Sequence, residues 1–191
     1  MKRALILHGW GANPGMHWFP SEIGYLRSLG YEVQAPTMPN KYNPHENDWL
    51  KVIENFAPDE ESVLIGHSLG GTTILEYLEK SGQKVDKVVL VVTPIRFNDK
   101  LELGKSHSFK LYTEKVTTDC FLGLCRYEEI FDWGKIQSAA NKFIIIYKKN
   151  DIRVPSEEGQ FLAEKLGSGL TLVDGTDHGH MIDLDLINKH L

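Results

Sequence analysis

Apolar residues fall into short runs, Arg3 to His8, Tyr31 to Ala35, Val63 to Ile65, Asp86 to Val92, Phe143 to Tyr147 and Leu170 to Val173. Their length and β-branched content predict buried strands. Between most of them the apolar residues return at helical spacing. Phe19, Ile23, Leu26 and Leu29 predict a helix over residues 18–29, with Pro20 in its first turn and Gly30 as its stop. Trp49, Leu50, Val52, Ile53 and Phe56 predict a second, capped by Asn47 or Asp48, and residues 72–79 a third. A short helix near residues 133–140, one capped by Ser156 and reaching Leu166, and one from about Asp183 complete the series. Strands alternating with helices predict a three-layer α/β domain around a doubly wound, mostly parallel sheet.

From about residue 93 to residue 134 this periodicity is lost. Forty residues are too many for a plain connection, and Phe97, Phe109, Tyr112, Phe121, Tyr127, Phe131 and Trp133 are too apolar for a solvated linker. Residues 96–134 are therefore expected to form a cap or lid insertion within a single domain spanning residues 1–191. That length suffices to bury a core without disulfides or structural metal.

Composition narrows the function classes. The formal charge is −5, and no basic cluster with interleaved aromatics is present, which argues against nucleic acid as a partner. The apolar run after Met1-Lys2-Arg3 is too short for a signal peptide, and no run approaches a bilayer span, so a cytoplasmic protein without membrane association is expected. Cys120 and Cys125 are expected to be unpaired thiols, with no second pair to complete a zinc site. Gly9-Trp10-Gly11-Ala12-Asn13-Pro14 lacks the third glycine of a dinucleotide loop, and no Gly-Lys-Ser/Thr phosphate loop occurs. No cofactor or metal is expected.

The chemistry lies at the ends of the strands. Gly66-His67-Ser68-Leu69-Gly70, between a strand and a helix, has the Gly-x-Ser-x-Gly pattern of a nucleophile elbow, its glycines expected to let the backbone turn sharply and present Ser68. A serine hydroxyl needs a base, and the base an orienting acid. Asp151 follows the fifth strand and is preferred as the acid over Asp99, which follows the fourth. For the base, His178 and His180 compete in Asp177-His178-Gly179-His180 after the sixth strand. The glycine before His180 favours it by letting the loop turn that ring inward, which would leave His178 solvated or hydrogen-bonded behind the base. The order serine, acid, histidine is that of α/β-hydrolases. The amides of Leu69 and of Trp10, in His8-Gly9-Trp10-Gly11, are expected to form the oxyanion hole.

With His17-Trp18-Phe19-Pro20, Met38-Pro39-Asn40, Asp48-Trp49-Leu50, Asp151 with Val154-Pro155, and Gly179-His180, the chain resembles compact serine hydrolases of the α/β-hydrolase superfamily, the group that includes the retinoblastoma-binding serine hydrolase. The resemblance implies Ser68, Asp151 and His180 as nucleophile, acid and base. It also implies a minimal six-stranded sheet in the order 2-1-3-4-5-6, with Ser68 at the reversal between strands 1 and 3. The segment from Leu101 to Ile130 is longer than the family leads one to expect. The function expected is a carboxylesterase acting on a small-molecule ester. The alternatives are an amidase, peptidase or thioesterase using the same triad, or a protein-interaction module in which the triad is idle.

Overall fold

In the computed structural model, which describes residues 2–95, 131–151 and 153–191, six strands form one sheet in the order β2-β1-β3-β4-β5-β6. They are β1 (Arg3–Leu7), β2 (Glu32–Gln34), β3 (Val63–His67), β4 (Val85–Val91), β5 (Ala140–Lys148) and β6 (Leu170–Val173). Every pairing is parallel. The central strands explain their composition: β3 is buried at all five positions, so its residues have no solvent face to make polar. The edge strand β2 is three residues long and buries Val33 between exposed Glu32 and Gln34.

The helices are α1 (Phe19–Ser28), α2 (Glu46–Phe56), α3 (Leu69–Ser81), α4 (Trp133–Ser138), α5 (Ser156–Leu166) and α6 (Asp185–Asn188). Helices α2 to α5 pack one against the next in that order. The connection through α1 runs the opposite way along the sheet, so right-handed crossovers put it on the other face, where Glu22 meets Asn188 of α6. Fully buried Trp49, Phe19 and Phe56 anchor the helices to the core, and the Trp49 indole N–H donates to the Pro39 carbonyl at 2.8 Å. Among the described residues no helix is long and apolar enough to cross a membrane.

Several helix starts differ from the sequence reading, among them α3, which begins at Leu69 and not at Thr72. His45 precedes α2, which takes Asn47 and Asp48 into its first turn; Pro155 precedes α5, and neither boundary residue makes a side-chain cap. At α6, Asp183 accepts a hydrogen bond from the Asp185 N–H at 3.1 Å and delays the helix by two residues. Most of the expected cap, with Asp99, Cys120 and Cys125, lies outside the described residues. Of its aromatics, Phe131 and Trp133 join the core, Trp133 meeting Phe161 of α5 edge-on at 5.5 Å.

The register brings the strand ends together. Leu7 pairs with Gly66, His67 with Val91, Val91 with Ile146, and Ile146 with Thr171. The loops leaving β1, β3, β5 and β6 therefore open at one edge, beside the point where strand order reverses.

Candidate active site

Ser68 stands between the last residue of β3 and the first of α3 with φ 51° and ψ −126°, a conformation that side-chain-bearing residues avoid and that costs on the order of 1–3 kcal/mol. Its neighbours hold it there. The Ser68 N–H donates to the Val91 carbonyl at 2.8 Å, and its own carbonyl accepts from the Gly71 N–H at 2.9 Å. The strain falls on the serine, as the elbow pattern leads one to expect, while Gly66 and Gly70 themselves keep negative φ. They serve close approach instead. A Cβ on Gly66 would overlap the backbone of Gly71, one on Gly70 the Leu7 carbonyl, and one on Gly71 the Thr93 hydroxyl.

The placement of the two histidines differs from the sequence reading. His178, not His180, stands between the other two residues: its Nε2 lies 2.9 Å from Ser68 Oγ, and its Nδ1 lies 3.0 and 3.2 Å from the two oxygens of Asp151. An ionised carboxylate can only accept, so Nδ1 carries the proton and Nε2 faces the serine hydroxyl as acceptor. Asp151 has no exposed side-chain surface, and its Oδ1 also accepts from the Arg153 and Val154 N–H groups at 2.7 and 2.8 Å. Those amides fix its rotamer and offset its burial.

The turn through residues 177–180 accounts for the exchange of histidines. His178 and Gly179 both have positive φ, 53° and 65°, and the His180 N–H closes the turn onto the Asp177 carbonyl at 3.1 Å. Histidine is among the side-chain-bearing residues found more often in this region. Gly179 is required by contact: a Cβ there would lie 2.7 Å from Val92 Cγ2. That packing turns His178 inward and sends His180 onto His17, with the rings stacked at 3.8 Å and 9°. His180 makes no bond to Asp151 or Ser68 among the described residues.

Residues outside the expected set hold the constellation. His67 Nε2 donates to the His178 carbonyl at 2.8 Å, and the Trp18 indole N–H donates to the Gly179 carbonyl at 3.0 Å. Complete burial drives the His67 imidazole well below its usual range, so it stays neutral. On the β1 side, the Met38 N–H donates to His8 Nε2 at 2.9 Å, which leaves the proton on Nδ1 to donate to the Gly9 carbonyl at 2.7 Å. Gly9 abuts Ser68 closely: a Cβ on it would sit 2.8 Å from Ser68 Cβ. Trp10 is pinned by its indole N–H, which donates to the Tyr42 carbonyl at 3.1 Å. The cavity over Ser68 measures about 190 Å³ and is lined by Trp10, Met16, His17, Tyr42, Arg153 and His180 together with the catalytic-site backbone. Phe131 and Trp133 are not part of it. Burial, followed by the charges of His17, His178 and Arg153, lowers His180 to about 4; burial likewise lowers His17. Among the described residues no group of three or more histidine, cysteine or acidic side chains is placed to hold a metal ion.

A six-stranded parallel sheet in this order, with a strained serine after the third strand and an aspartate and a histidine after the fifth and sixth, defines an α/β-hydrolase. The chain belongs to the Serine hydrolase family, which it matches over residues 4–185. It is 26% identical over 181 residues to YdeN of Bacillus subtilis (strain 168), an overlap covering 93% of this chain and 85% of YdeN. It is 24% identical over 176 residues to the serine hydrolase RBBP9 of Rattus norvegicus, covering 91% and 78%. The crystal structure of the ydeN product superposes with a TM-score of 0.79 at 23% identity, over all of this chain and 97% of the other. A monoacylglycerol lipase of Paleococcus ferrophilus shares the fold at a TM-score of 0.67 and 19% identity, over 92% and 85%.

Proposed function

We propose that the chain is a carboxylesterase that forms an acyl-enzyme on Ser68. The observation that carries this reading is the hydrogen-bonded series from Asp151 through His178 to Ser68, with 3.0 Å and 2.9 Å separations. His178 Nε2 takes the hydroxyl proton as Ser68 Oγ attacks the ester carbonyl, and Asp151 stabilises the imidazolium that results. The imidazolium then protonates the departing alcohol, and water repeats the two steps to release the acid. The N–H of Leu69 opens α3, where the first amides lack acceptors within the helix; in this reading it and the N–H of Trp10 are the donors to the developing oxyanion. The approach of Gly9 to Ser68 and the hydrogen bond from His8 support that role for the β1 loop. A cavity of about 190 Å³ is below the ~300–1,000 Å³ of sites for drug-sized ligands, which favours small acyl esters.

A fluorophosphonate probe tests the reading. The wild type should be labelled at Ser68 and Ser68→Ala should not; a folded wild type that resists the probe would mean an idle triad and an interaction module. A panel of p-nitrophenyl esters, anilides and thioesters of matched acyl length should show turnover of the oxygen esters ahead of the others. Preference for anilide or thioester would reassign the enzyme to the amidases or thioesterases.

A further inference from the structure

Among the described residues that line the cavity over Ser68, Arg153 alone carries a permanent charge. It is half-buried in a chain whose formal charge is −5, where carboxylates outnumber cations. Yet its guanidinium enters no ion pair and no hydrogen bond among the described residues. Among the described residues, the aspartates beside this turn are engaged elsewhere. Asp151 is held by His178 and the two amides, and Asp177 by Lys148 Nζ at 3.2 Å and by the Met181 N–H. The Arg153 N–H donates to Asp151 Oδ1, so the turn that fixes the acid also fixes where the arginine leaves the main chain. The stacked His17 and His180 rings line the same cavity. With His180 lowered to about 4 and His17 also lowered, both are neutral at pH 7 and supply ring nitrogens without charge.

A guanidinium presents a planar fork of N–H donors that matches a carboxylate bidentately, and it stays ionised in any medium the enzyme meets. In the lining of the cavity and without a partner among the described residues, it is a partly desolvated charge that an anionic ligand would compensate. We infer that the Ser68 site takes esters that carry a carboxylate, gripped by Arg153 beside the His17 and His180 rings. The substrate class is a small monoanionic ester, such as a half-ester of a short dicarboxylic acid. This deepens the esterase reading and rests on it.

The test compares anionic and neutral esters of matched size. Mono-p-nitrophenyl glutarate is set against p-nitrophenyl valerate for a charge on the acyl side, and 4-acetoxybenzoate against phenyl acetate for a charge on the alcohol side. In at least one pair, correcting for the leaving group with an uncatalysed hydrolysis control, the wild type should favour the anionic ester. In Arg153→Gln the ratio of kcat/KM values, anionic over neutral, should fall tenfold or more, chiefly through KM; Arg153→Lys, which keeps the charge but loses the fork, should recover part of it. The ratio in the wild type should also shrink with added salt. A ratio unchanged by Arg153→Gln in both pairs overturns the inference. If the probe labels Ser68 but no ester turns over, glutarate should slow labelling of the wild type more than of Arg153→Gln, and equal slowing overturns it. Failure of the probe to label at all overturns the esterase reading and this inference with it.

Discussion

Glu22 is a carboxyl group with no exposed surface, placed on α1 where the amide end of the Asn188 side chain lies 3.1 and 3.3 Å from its two oxygens. Burial disfavours the ionised form and raises the group from 4.5 to about 7. A carboxyl that binds its proton more tightly in the native state than in the unfolded chain supports the fold below its unfolded value, and this support is lost as pH rises toward 7. A displacement of some 2.5 units at about 1.4 kcal/mol each gives a loss of about 3 kcal/mol across that window. Glu22→Gln removes the titration while keeping shape and an amide partner for Asn188. The measurement is urea unfolding of both proteins at pH 4.5, 6 and 7.5. Several histidines, among them His8, His67 and His180, have lowered values and impose the opposite slope on both proteins, stability rising with pH. They cancel in the difference between variant and wild type. That difference should move in favour of Glu22→Gln by about 3 kcal/mol between pH 4.5 and pH 7.5, or roughly 6–12 °C in Tm for a chain of this size. A difference constant across pH would refute the assignment of a buried, protonated Glu22.

His178→Ala should lower kcat by about 10⁴-fold or more, the usual result of removing the base from such a triad, while His180→Ala should retain more than a tenth of the wild-type value; steady-state ester hydrolysis decides, and the opposite ranking would restore His180. Asp151→Asn should cost about 10³–10⁴-fold in kcat with the acyl-enzyme still formed slowly, which a burst assay would show. Gly70→Ala, whose methyl overlaps the Leu7 carbonyl, should destabilise by more than ~2 kcal/mol or prevent folding, whereas Gly24→Ala in α1, with open space around it, should stabilise by ~0.5–1 kcal/mol; thermal melts of the pair check both.

The central strands could be read from the sequence because burial on both faces leaves a continuous apolar run, as at Val63 to Ile65 of β3 and Val88 to Val91 of β4, whereas their order came from the family resemblance. Helix starts were less legible: His45 and Pro155 precede α2 and α5 without side-chain caps, so the polar residues that resemble caps lie within the first turn. At the site, Ser68 and Asp151 follow directly from strand-end position. The base did not, because Gly179 resembles a swivel in sequence and is in fact a contact residue against Val92. The relevant signal was present: a histidine immediately before a glycine can occupy the first left-handed position of a tight turn, and the turn then aims that histidine. His67 and Trp18 were beyond reach, since each acts through a carbonyl on a segment distant in sequence, and so was His8, which is fixed by the N–H of Met38.

The hydrogen bond from His67 to the carbonyl of His178 ties the base loop to the residue next to the nucleophile. Mechanically, strand β3 and the loop after β6 are bolted together one peptide away from each reacting atom. A thermal displacement of the strand carries the imidazole with it, so breathing of the sheet is converted into common translation of Ser68 and His178 with little change in their separation. The linkage needs a proton on His67 Nε2, which the His178 carbonyl selects, while complete burial keeps the ring neutral. Cutting it, as in His67→Phe, should leave both residues in place on average but let the gap between them fluctuate.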